Sequence, residues 1–172
     1  PADTGTIYRT GSVSKSFTAF LMMILAEEGV ITLSDPVDLY LPEIRNLTGY
    51  SDSARINFLH LASHTSGLSC EPESADAASG PIEEWENKII QSIPAVPFKS
   101  RPGEKFIYSN FGYAVLGLAL SRAAKKPFMN LMKEKIFIPL NMNTSFFIIP
   151  EAMKAKLAKG INNGLSGEID ME

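Results

Sequence analysis

A chain of 172 residues, 45% of them hydrophobic, has enough apolar surface for one core and too little length for two ordinary domains. Its 16 basic and 19 acidic side chains are well mixed and leave a net charge of −3, without the basic footprint of a nucleic-acid binder or a polybasic membrane patch. A single cysteine, Cys70, excludes an internal disulfide and a cysteine-based metal cluster.

The chain opens on Pro1 without a methionine, which suggests an upstream segment, and no basic stretch followed by an apolar one reads as a signal peptide. Thr6-Ile7-Tyr8-Arg9-Thr10 alternates and is β-branched, the pattern of a short strand or extended lead-in. A first long helix follows. Phe17, Phe20, Leu21, Ile24 and Leu25 recur at the spacing of a core-facing stripe, and Gly29 ends the pattern. Apolar residues on nearly every side, Met22 and Met23 included, mark this helix as central. Its apolar run, residues 20–26, is far short of the ~20 residues a membrane span needs.

Residues 30–41 read as a connector in which Ser34-Asp35-Pro36 supplies a cap and first-turn proline, and Pro42 closes a short helix at Tyr40-Leu41. Asn57 caps a short helix over 58–63, which stops at His64-Thr65-Ser66-Gly67-Leu68. Residues 71–80 form an acidic loop, either a surface excursion or a rim over a site. A helix over 82–93 carries Trp85 and Ile89. Arg101-Pro102-Gly103-Glu104 is a type II turn, and Lys105-Phe106-Ile107-Tyr108 is extended. A second apolar helix over 110–124 places Tyr113, Leu116, Gly117 and Leu120 on one face, with Gly112 and Gly117 permitting close packing. Pro127 opens a third helix that Pro139 ends. Residues 144–149 are β-branched and aromatic, as in a strand, residues 151–159 form a short cationic helix, and residues 160–172 show no core pattern.

Two constellations carry chemistry. In Thr10-Gly11-Ser12-Val13-Ser14-Lys15, a helical backbone puts Ser12 and Lys15 on one face with Cβ atoms about 5–6 Å apart. A serine hydroxyl is a weak nucleophile at neutral pH, and an adjacent amine is the base it needs. Gly11 turns the backbone into a helix whose first N–H groups face developing negative charge. The plainer reading of Ser12 is a helix N-cap. In Tyr108-Ser109-Asn110, between the tight turn and the apolar helix, a phenol can shuttle a proton and an amide can accept from an ammonium while donating to a carbonyl. Here the plainer reading is a wall residue and an N-cap.

Other candidates carry less. His60 and His64 are four apart, but Leu61 stands where a zincin needs glutamate, and structural roles fit them better. Ser66 lacks the flanking glycines of a nucleophile elbow. Met129 and Met132 read as core filling, and Trp85 as a packing residue or, from its closeness to the loop of residues 71–80, part of a site rim.

In order, Gly11-Ser12-Val13-Ser14-Lys15, His64-Thr65-Ser66-Gly67-Leu68, Pro102-Gly103 and Tyr108-Ser109-Asn110 resemble the serine β-lactamase and penicillin-binding superfamily, whose signature includes Ser-x-x-Lys. The Tyr-x-Asn form is similar to class C β-lactamases, D-alanyl-D-alanine carboxypeptidases and family VIII esterases. The resemblance runs from about Tyr8 to Pro150. It implies an α+β fold of the β-lactamase/transpeptidase type and an acyl-enzyme reaction on a β-lactam, a D-Ala-D-Ala peptide or a small ester, without metal or cofactor. It casts Ser12 as nucleophile, Lys15 as its base or hydrogen-bond partner, Tyr108 as proton carrier and later activator of water, and Asn110 as the group that holds the substrate amide and Lys15. The Ser12 N–H becomes half of the oxyanion hole.

No Lys-Thr-Gly or His-x-Gly triplet follows Asn110. The chain therefore reads as one partial domain, mainly the helical part of the fold without most of its antiparallel sheet. Residues 1–10 are the lead-in, 11–159 the helical region carrying the site, and 160–172 a tail towards the sheet. The expected partner is a small-molecule or peptide substrate, with no nucleic acid. Self-association through an uncovered apolar face of the first helix is a further expectation. The alternative function is a non-catalytic scaffold or binding domain of the same fold. The resemblance also implies an extracytoplasmic location, periplasmic or secreted.

Overall fold

The computed structural model describes residues 2–72, 81–161 and 168–169. Ile7 forms a single parallel bridge with Leu157, and the rest of the lead-in is irregular. A tight 3-10 turn, Gly11–Val13, then feeds helix α1, Ser14–Glu27. Gly11 stands at φ 51°, in the left-handed region that a Cβ disfavours, and this lets the chain turn sharply into the helix. Helix α2, Phe58–Ala62, starts at the predicted cap: Asn57 accepts from the His60 N–H while the His60 ring accepts from the Asn57 N–H. Helix α3, Trp85–Ser92, is bracketed by 3-10 turns. Helix α4, Asn110–Ala123, and helix α5, Phe128–Met132, follow, and α5 runs on into a π-helical turn at Lys133–Phe137.

The hub is α4, not α1. Residues 115–120 of α4 are all buried, as are Phe111 and Gly112, and the helix packs against α1, α2, α3 and α5. Its glycines allow this approach: a Cβ on Gly117 would lie 3.3 Å from the Phe128 ring of α5. In α1 the buried set is Thr18, Leu21, Met22 and Leu25, whereas Phe20, expected in the core stripe, is 51% exposed. Val13, Phe20 and Met23 form an uncovered apolar stripe, because periodicity shows that a face is apolar but not what lies across from it.

Three local expectations change. Pro42 opens a 3-10 turn, Pro42–Asn46, rather than closing a helix, as its fixed φ and missing N–H allow at a first-turn position. Thr144, Ser145 and Phe146 to Ile149 form no strand: Phe147 instead packs its ring on Phe128 and Phe137, and no neighbouring strand offers a ladder. Residues 151–156 form a 3-10 helix, Glu151–Lys156. Among the described residues the only strands are β1, Gly160–Ile161, and β2, Glu168–Ile169, paired antiparallel, so the described chain is mainly helical as expected. No described helix is long and apolar enough to cross a membrane. Of the expected acidic loop, residues 73–80 lie outside the described residues.

Two loops are laced together beneath the second constellation. The Lys99 N–H donates to the Gly67 carbonyl, Gly103 to Thr65 and Ile107 to His64, each at 2.7 Å, and Leu68 bridges to Phe98. The predicted turn holds, with the Glu104 N–H bonded to the Arg101 carbonyl at 3.1 Å. Gly67, at φ 80°, is required by space as well as by conformation: a Cβ there would sit 2.1 Å from the Ser100 carbonyl oxygen. Gly67→Ala is expected to destabilise the protein by ~2 kcal/mol or more, since left-handed strain and backbone overlap add. A urea unfolding midpoint equal to that of the wild type would refute it.

Candidate active site

Ser12 lies in the 3-10 turn before α1, where the Val13 and Ser14 N–H groups bond to the Thr10 and Gly11 carbonyls. Lys15, one residue into α1, directs its ammonium back, so that Nζ donates to Ser12 Oγ at 3.2 Å and to Asn110 Oδ1 at 2.6 Å. From the other side the Tyr108 hydroxyl donates to Ser12 Oγ at 2.7 Å. Lys15 and Tyr108 thus meet on Ser12 Oγ, and Asn110 joins them through Lys15, 95 residues away in the chain.

The plainer reading of Asn110 fails on geometry. The cap of α4 is Ser109, whose Oγ accepts from the Gly112 N–H at 2.8 Å and donates to the Ser69 carbonyl at 2.7 Å. Asn110 is therefore the first helical residue, and its amide is free to face Lys15. Ser12 likewise makes no side-chain cap bond to α1.

Lys15 is the electrostatic centre. Its Nζ lies 4.9 Å from the Tyr108 ring centroid and 5.7 Å from that of Tyr113, within cation–π range. Hydrogen bonding to Lys15, then to Ser12, lowers the Tyr108 phenol below its ordinary 10.0. Burial instead raises Tyr40, Tyr50 and Tyr113. In an ultraviolet difference titration, Tyr108 should ionise below 10.0 and return upward in Lys15→Met. A titration curve unchanged by Lys15→Met would contradict this.

Sequence reasoning gives His64 a structural role and a place in the resemblance, but not the contacts by which it and Glu71 orient these four. His64, at φ 59°, stacks on the Tyr108 ring with centroids 4.4 Å apart, and its Nδ1 accepts the Ser109 N–H at 3.1 Å. Burial, then the Lys15 charge, hold its pKa down, so the ring is neutral with its proton on Nε2. Glu71 accepts from Asn110 Nδ2, and Cys70 Sγ lies 3.8 Å from the same nitrogen. A carboxylate can only accept, so Glu71 fixes the amide with Nδ2 towards itself and Oδ1 towards Lys15. Glu71 opens the acidic loop for which a rim over a site is one of two readings, but its bond to Asn110 spans 39 residues and no local pattern marks it. His60, Ser66 and Trp85 are structural: a capping box, a buried hydroxyl near the Leu68 N–H, and a ring packed on Phe128. Among the described residues no three His, Cys, Asp or Glu side chains are grouped to hold a metal ion.

Comparison with known proteins bears on the family of the chain. A family model described as beta-lactamase covers residues 1–167. A beta-lactamase of Yersinia enterocolitica is 32% identical over 164 residues, 95% of this chain and 40% of the relative. A D-alanyl-D-alanine-carboxypeptidase/endopeptidase, AmpH of Escherichia coli K12, is 29% identical over 82% of this chain and 37% of its own length. The crystal structure of a beta-lactamase/D-alanine carboxypeptidase from Yersinia pestis complexed with citrate superposes with a TM-score of 0.80 at 34% identity, covering 91% of this chain and 45% of that one. The chain spans less than half the length of these proteins.

Proposed function

The chain belongs to the beta-lactamase family, and from that membership we propose that it is the nucleophile-bearing part of a serine hydrolase that works through an acyl-enzyme. The observation that carries the reading is the convergence of Lys15 Nζ and Tyr108 OH on Ser12 Oγ. Ser12 Oγ attacks a carbonyl carbon, forming the C–O bond, while its proton passes to the Tyr108 oxygen in its phenolate form, which the hydrogen bond from the Lys15 ammonium favours. The same phenol delivers that proton to the departing nitrogen or oxygen as the acyl bond breaks. Water then attacks the acyl-enzyme, gives a proton to the phenolate, and releases a carboxylic acid and free Ser12. The Ser12 N–H faces the developing oxyanion, and Asn110 keeps Lys15 aimed at Oγ.

The substrate classes that fit are those in the relatives' names, β-lactams and D-alanyl-D-alanine peptides, with small esters as a third carbonyl class open to the same steps. Such substrates suit an extracytoplasmic place of work.

Intact-mass spectrometry over time, with a penicillin and separately with an activated ester, tests the proposal. A mass increase of one acyl group that is absent in Ser12→Ala is expected. No adduct with either reagent, or an equal adduct in the variant, would overturn it and favour a non-catalytic scaffold.

A further inference from the structure

A second cavity, of about 290 Å³, lies between the lead-in, the start of α1, α5 with its π-helical turn, and residues 142–149; Ser12, Lys15, Tyr108 and Asn110 are not in its wall. Its interior is aromatic. Phe17 meets Phe137 edge-on at 6.2 Å, Phe137 stacks on Phe147 at 5.9 Å, and Phe147 meets Phe128 edge-on at 5.9 Å, a linked row of rings facing one space. Met132 and Met142 fill the gaps, and a thioether adapts to an irregular guest. The hydroxyl groups of Tyr8, Thr10, Ser14, Thr18, Thr144 and Ser145 belong to lining residues as well. Thr10 and Ser14 share a 2.9 Å hydrogen bond across the Ser12 turn, and Arg9 is the one charged side chain among the lining residues. No carboxylate lines the cavity, and Arg9 makes no ion pair among the described residues.

We propose that this cavity binds a small amphipathic monocarboxylate, its aromatic or branched-aliphatic body among the phenylalanine rings and its carboxylate paired with Arg9. The volume is about twice that of an apolar cavity that holds benzene, which suits one ring with a short chain. Aromatic rings fix a guest by shape, and the single guanidinium with the neighbouring hydroxyl groups sets its orientation. A guanidinium recognises a carboxylate through two parallel N–H bonds, and one cation matches one negative charge.

The probe is 4-phenylbutyrate, with 4-phenylbutyramide as its uncharged counterpart. Trp85, the single tryptophan, lies 6.1 Å from the Phe128 ring and reports occupancy by fluorescence, while methyl shifts of Met132 and Met142 place the ligand. The carboxylate should saturate both signals and bind about tenfold more tightly than the amide, and Arg9→Gln should remove that preference. Ser12→Ala should bind like the wild type. Absence of saturation, equal affinity for the two probes, a preference that survives Arg9→Gln, or binding lost with Ser12 would each overturn the proposal. The last result would place the probe at the catalytic serine.

Discussion

Lys15→Met is expected to slow acylation of Ser12 by ~10²–10⁴-fold, the range assigned to a positioned acid–base group. The methionine has nearly the length of the lysine stem but neither donates to Ser12 Oγ nor bonds to Asn110, the two contacts Lys15 makes at 3.2 and 2.6 Å. Tyr108 also loses the first of the influences that lower its phenol, so both candidate proton acceptors weaken together. Asn110→Ala should cost less, because it removes only the group that aims the ammonium. Rates of mass increase with the activated ester measure both variants against the wild type. An acylation rate for Lys15→Met within threefold of the wild type would remove the lysine from the chemistry and leave Tyr108 alone on Ser12. Unfolding midpoints recorded alongside separate lost chemistry from lost structure.

How far this site could be read in advance depended on sequence distance. The Ser12–Lys15 pair is local, so helical spacing places one side chain on the other without knowledge of the fold. Tyr108 and Asn110 lie on a loop held at both ends, and only the ordered resemblance joined them to Ser12. Once they are joined, the 2.7 Å bond from Tyr108 and the 2.6 Å bond to Asn110 follow the expected pairing. The supports were not legible. His64 reaches Tyr108 by ring stacking across 44 residues, and Glu71 reaches Asn110 from the edge of a loop without periodic pattern. The fold shows the same division. Helix positions follow apolar period and caps, as at Asn57 and Pro127, but the buried side of α1 depends on which neighbours are present. Phe20 satisfies the helical stripe and still faces outward. The aromatic run at 146–149 has strand propensity, and tertiary packing of the Phe147 ring overrides it.

Asp38→Ala is expected to destabilise the protein by ~2–3 kcal/mol, the loss of charge-assisted hydrogen bonds to a buried carboxylate whose guanidinium partners, 53% and 32% exposed, stay partly hydrated. For a chain of this size that corresponds to a fall in Tm of roughly 5–10 °C. The Asp38 side chain is 1% exposed, and its two oxygens accept from Arg45 at 2.5 and 2.9 Å, from Arg55 at 2.5 and 3.1 Å and from Tyr50 at 2.9 Å. It ties the 3-10 turn Val37–Leu39 to residues 45–55, a stretch otherwise built of short turns with no long helix. Without the carboxylate, two guanidinium groups face each other and the Tyr50 hydroxyl loses its acceptor, so repulsion and an unmade bond add to the lost attraction. Burial alone would raise the Asp38 carboxyl, but the bonds from Arg55, Tyr50 and Arg45 outweigh it and hold the group below its ordinary 3.8. A depressed carboxyl stabilises fully above its unfolded value, and that contribution fades as pH falls through the folded one. The wild type should therefore lose part of its stability below about pH 4, and Asp38→Ala should lose less there while starting lower at pH 7. Arg45→Ala should cost at most about 1 kcal/mol, because that side chain is 53% exposed and water replaces much of its attraction. Urea unfolding across pH measures all three proteins. An Asp38→Ala midpoint at pH 7 equal to that of the wild type would show that the two arginines do not need this carboxylate, and that the turns of residues 37–55 are held by the burial of Val37, Leu41, Ile44 and Leu47 alone.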